Sequence, residues 1–144
     1  MKKLFLILII FTLSLPLYAR IKIFSCPIKE ENIYIVEDKL DILNSKDDAK
    51  IYIKKAFIYM ILHVIDDDFY HDILEKKEEY SVQVFTRMDG NKKIVYLNFF
   101  ILDDKEDCFS TEEVIVFDGG TDFWNISYDI EKEEFYNLWV NGVA

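Results

Sequence analysis

The sequence predicts an α+β domain: one long helix, with a short second helix after it, packed on a curved antiparallel sheet of about five strands. Three observations carry that expectation. The stretch from Asp48 to Ile65, DAKIYIKKAFIYMILHVI, runs for the length of a helix without Gly or Pro. Beyond residue 79 the chain turns to β-branched and aromatic runs, punctuated by Asp89-Gly90-Asn91 and Asp118-Gly119-Gly120-Thr121. Finally, Trp124, Ile126, Tyr128 and Ile130 alternate with Asn125, Ser127 and Asp129, the period-two pattern of a strand with one face inward.

Taken in order, the chain opens MKKLFLILIIFTLSLPLYAR. A positive start at Lys2 and Lys3, an apolar run from Leu4 to Leu15, and Pro16 before Leu17-Tyr18-Ala19 resemble a bacterial secretory signal peptide cut after Ala19. The run is shorter than the roughly 20 residues that span a bilayer, so cleavage is expected rather than anchoring. Residues 20–144 are then a single exported domain, most simply periplasmic. Ile23-Phe24-Ser25-Cys26 has a faint lipobox likeness that would anchor the chain by a lipid on Cys26. The bulk of Phe24 and the charges at Arg20 and Lys22 argue against it.

Ile33 to Val36 reads as a first short strand, and Asn44-Ser45-Lys46-Asp47 as a loop able to cap the helix that follows. In that helix Lys50, Lys54 and Lys55 mark one side of the first half. The second half, AFIYMILHVI, is apolar nearly all round and is expected to be enclosed.

The stretch HVIDDDFYHD sets His63, Asp67 and His71 four apart, which on an unbroken helix would form one metal-binding stripe. A helix from Asp48 to Glu79 would be about 48 Å long at 1.5 Å per residue. The radius of gyration of a globule this size is only about 14 Å. A break is expected at Asp66 to Asp68, where carboxylates oppose the dipole at a helix C-terminus and Asp68 suits the N-cap of a second helix from Phe69 to about Lys77. The break separates the stripe, and only three of the four ligands of a structural zinc site are in view. His63 is expected on the apolar face with Ala56, Tyr59 and Met60, and His71 at the surface. No metal and no cofactor are expected.

Strands follow at Ser81 to Met88, Lys92 to Leu102, Glu113 to Phe117 and Asp122 to Ile130. A last one carries Phe135, Tyr136, Leu138, Trp139 and Val140. In topology a helix followed by a meander resembles the cystatin-like and NTF2-like folds. Those folds host inhibitors, carriers and enzymes, so the resemblance implies an architecture and not a function.

Charge narrows the function classes. The whole chain is formally −10, and losing Lys2 and Lys3 with the leader leaves 15 basic against 27 acidic residues, or −12. Such a surface repels nucleic acid and anionic lipid and attracts cationic partners. Twelve Phe, nine Tyr and two Trp exclude a disordered acidic chain. In an oxidising compartment Cys26 and Cys108 are expected to form one disulfide, limiting the unfolded chain by about 4 kcal/mol.

Catalytic motifs are missing. Asp103-Asp104-Lys105-Glu106-Asp107 lacks the glycine and closing glutamate of an EF-hand. Gly119-Gly120 has no following Lys-Ser/Thr, and no G-x-S-x-G occurs. The expectation is therefore a non-enzymatic, exported acidic domain that binds a basic protein. Bacterial immunity proteins and periplasmic inhibitors of secreted toxins or hydrolases resemble it in size, charge and location. Asp103, Asp104, Glu106 and Asp107, with Phe135 and Trp139, are its expected contact surface. Two alternatives stand beside it. One is a carrier with an apolar pocket between helix 50–65 and the sheet; the other is an enzyme in which carboxylates or His63 face a cleft. A cavity under the helix would favour the carrier, and a filled core the protein-binding domain.

Overall fold

Residues 25–63, 68–103 and 106–142 are described by the computed structural model. The expected leader, Asp66, Asp67 and Asp104 lie outside them. The elements run β1 (Ile33–Asp38), α1 (Lys46–His63), α2 (Asp68–Glu75), β2 (Ser81–Asp89), β3 (Lys92–Phe100), β4 (Phe123–Asp129) and β5 (Glu134–Val140). The strands form one open sheet in the order β1-β2-β3-β4-β5, with both helices on one face. The fold class is α+β, as expected.

Local chemistry explains the boundaries. Ser45 and Asp48 cap α1 reciprocally: the Ser45 hydroxyl accepts from the Asp48 amide (3.4 Å), and the Asp48 carboxylate accepts from the Ser45 amide (3.1 Å). The described helical residues end at His63 and resume at Asp68, and the expected break at Asp66 and Asp67 lies outside the described residues. Lys76, just beyond α2, bridges Asp72 and Asp122 at 2.8 Å each, and the Thr121 hydroxyl also bonds Asp72, so α2 is pinned to the chain entering β4. Asp89-Gly90 makes the β2–β3 hairpin, Gly90 supplying the left-handed backbone (φ 58°) that the turn requires.

Two expectations are corrected. The sheet is mixed: β1 pairs parallel with β2. A strand joined to its neighbour through helices arrives in the same direction, whereas short hairpins reverse it. Glu113 to Phe117 is not a strand and joins no edge of the sheet. The five strands include β1 in its stead.

Between the helices and the sheet the described residues pack a cluster of rings. Phe99 and Trp124 stack at 3.8 Å with planes 6° apart. Phe57 of α1 meets both rings edge-on, and Tyr80 does the same from the other side. Ile33, Ile53, Ala56, Met60, Ile73 and Leu97 complete a core with no solvent exposure. The expected enclosure of α1 holds for Ala56, Phe57, Ile58 and Met60, while His63 at its end is exposed.

Candidate binding surface

The face of the sheet turned away from the helices carries a row of polar side chains beside the apolar Phe85, Tyr96 and Phe100. Its side chains form rows across the strands, and one row comprises Gln83 on β2, Asn98 on β3, Asn125 on β4 and Trp139 on β5. A carboxamide both donates and accepts, so such a row can hold an irregular backbone that lacks ladder partners of its own. That is how residues 112–116 are held. Gln83 donates to the carbonyls of Phe109 (2.8 Å) and Glu112 (2.6 Å) and accepts from the Val114 amide (2.8 Å). Asn98 donates to the Val114 carbonyl, and Asn141, just past β5, to the Val116 carbonyl, both at 2.8 Å.

The segment therefore crosses the sheet from β2 toward β5. Phe109, packed on Tyr34 and Phe100, seals one end of the space beneath it. Ile115 and Phe117 are left 70% and 86% exposed, and Trp139 on β5 is 50% exposed. Three large apolar side chains on one face of an acidic chain cost hydration free energy unless something covers them. From Glu106 to Asp122 the chain carries Glu106, Asp107, Glu112, Glu113, Asp118 and Asp122 and no Lys or Arg.

Beside this segment, toward the β2–β3 turn, the same face is open. A groove of about 410 Å³ is lined by Arg87, Met88, Asp89, Ile94, Tyr96, Asn125, Ser127 and Asn137. Arg87 lies over the Tyr96 ring (4.6 Å to its centre), and its partner Glu113 is 4.0 Å away, beyond hydrogen-bond reach. Tyr136 donates to Asp89 at 2.7 Å. Burial first, and then that bond, push its hydroxyl up to about 12.

The residues expected to act are dispersed. Phe135 turns to the helix side, against Tyr59 and Tyr128, whereas Trp139 faces the opposite way; a bulge with Asn137 at φ 52° resets the alternation between them. Asp103, Glu106 and Asp107 are exposed. His63 is not a core histidine. Its ring lies on Tyr59 and its Nδ1 is 2.8 Å from the Tyr59 carbonyl oxygen, a bond within its own helix. His71 is at the surface, 3.8 Å from Glu75. Among the described residues no group of three or more His, Cys, Asp or Glu is placed to hold a metal ion.

Cys26 and Cys108 are separate thiols in the structure. Cys26 packs on the helix-side core, and Cys108 precedes Phe109, which packs on Tyr34 and Phe100. Burial pushes the Cys26 thiol up, against the pull of the Ile28 amide and of Lys54 and Lys50. A 3.2 Å bond to the Glu106 carboxylate pushes up that of Cys108. Neither thiol is an activated nucleophile.

Sequence reasoning missed Arg87, Tyr96, Asn125, Ser127 and Asn137. Polar residues within a strand signalled an outward face, but only the pairing register shows that they converge. Among the described residues no helix is long and apolar enough to cross a membrane. The chain matches no known protein family, no curated protein and no solved structure.

Proposed function

We propose that this chain is a small acidic protein-binding domain, and that a basic protein docks on the outer face of its sheet over Ile115, Phe117 and Trp139. The observation that carries the reading is the coincidence of those exposed side chains with a run of carboxylates lacking any basic residue. Interfaces of this kind combine aromatic anchors with charges that steer the encounter. Among the described residues the aromatic cluster of Phe57, Tyr80, Phe99 and Trp124 occupies the space between α1 and the sheet, which supports this reading beside the alternative of a carrier holding its ligand beneath α1. Export through the leader, and a role as an immunity protein or inhibitor, belong to the same proposal. So does a relation to the cystatin-like or NTF2-like folds, which rests on a helix preceding a meander and from which parallel β1 departs.

Affinity capture from the exported fraction of the source cells tests it, with wild type, Phe117→Ser and the pair Glu112→Lys, Asp118→Lys as baits. Wild type should retain a basic protein at low salt and release it as salt screens the charges. Phe117→Ser should weaken retention by on the order of tenfold or more, as truncating an anchor does. Retention that ignores both salt and the substitutions contradicts the proposal.

A further inference from the structure

The groove on the outer face has a chemistry of its own, distinct from the exposed apolar side chains beside it. Its walls carry a fixed cation, Arg87, and a fixed anion, Asp89, with Glu113 close by. A charged ligand of either sign would meet a like charge there, and the overall negative field opposes anions further. A neutral ligand meets neither penalty.

The hydrogen-bonding groups point the same way. Asn125, Asn137 and Ser127 each donate and accept, Arg87 only donates, and the Asp89 carboxylate only accepts. The ligand atom that suits such a mixed lining is a hydroxyl, which does both. Arg87 is also oriented in advance: the Tyr96 ring supports its plane, and the long separation from Glu113 leaves its donors available.

The bulge in β5 adds an independent observation. Asn137 sits inside β5, not in a turn, and adopts φ 52° at the bulge, a left-handed conformation that asparagine accepts more readily than most non-glycine residues. Bulges re-aim side chains and are over-represented beside binding sites. Here the bulge sets Asn137 at the groove wall. The volume, about 410 Å³, falls within the range of small-ligand clefts.

We infer that this groove is a binding site for a neutral polyhydroxylated ligand, a saccharide. Arg87, Asn125 and Asn137 hold its hydroxyls, Asp89 accepts from them, and Met88 and Ile94 line its apolar side.

Isothermal titration of the whole chain with maltose, cellobiose, N,N′-diacetylchitobiose and their tetrasaccharides tests the inference, with inorganic phosphate as the charged comparison. At least one saccharide should bind, and phosphate should not. Asn125→Ala and Arg87→Ala should each weaken that saccharide about tenfold, the loss of one or two good hydrogen bonds. Phe117→Ser should leave its affinity unchanged, which separates this site from the protein-docking surface. Thermal unfolding of each variant confirms folding, and Asn125→Ala alone suffices if Arg87→Ala does not fold. No binding by any saccharide overturns the inference, as does phosphate binding that depends on Arg87, or saccharide affinity unaltered by a folded groove variant. Loss of protein capture in Asn125→Ala without saccharide binding would assign the groove to the protein interface instead.

Discussion

Asp38 shows how much a single carboxylate organises here. At the end of β1 it accepts from the Thr86 hydroxyl and from the amides of Ile42 (3.2 Å) and Leu43 (2.9 Å), which folds the loop back toward α1. Burial alone would raise its pKa, but these bonds outweigh burial and hold the carboxyl below its ordinary range. The unfolded chain, with an Asp pKa of about 3.9, therefore binds the proton more readily. The stabilisation is complete above that value and is lost as pH falls through the folded pKa. Urea unfolding followed from neutral pH down to about pH 2 should show wild type losing more stability across the acid range than Asp38→Asn. Asp38→Asn itself should begin lower at neutral pH. Equal acid slopes would contradict the assignment.

At the scale of elements, the segment across the outer face depends on Gln83. This residue has no solvent exposure, yet both ends of its carboxamide are engaged, the oxygen by the Val114 amide and the Asn98 side chain (3.1 Å). Gln83→Ala would leave several buried groups without partners, and a loss of about 3 kcal/mol is expected from chemical denaturation. Hydrogen exchange at Val114 should accelerate. A cost below about 0.5 kcal/mol would mean that the row of amides does not hold the segment. Elements governed by neighbours in sequence were legible in advance: the capped start of α1 and the Asp-Gly hairpin. Those governed by distant partners were not. Val114 and Val116 mimic strand alternation, but their backbone bonds go to side chains on β2 and β3 and beyond β5, which no local pattern reveals. The parallel pairing of β1 and the bulge that separates Phe135 from Trp139 are likewise set across the sheet. Of the candidate surface, Trp139 and the acidic character were readable, while the groove exists only through register.

For the whole molecule, topology bears on what charge and cysteine count left open. Cys26 packs with the helix-side core, Cys108 sits beside Phe109, and the two are separate thiols. Thiol titration with Ellman's reagent, on protein denatured without reductant, should find two free thiols per chain. Finding none would contradict the packing. The same topology sets the proposed docking surface apart: helices and core lie on one face of the sheet, and Ile115, Phe117, Trp139 and the groove on the other. Hydroxyl-radical footprinting of the chain with its captured partner tests that division most directly. Protection should concentrate at Ile115, Phe117 and Trp139, while Ile51 on α1, exposed on the helix side, should react as in the free chain. Protection at Ile51 with Phe117 unchanged would contradict the account.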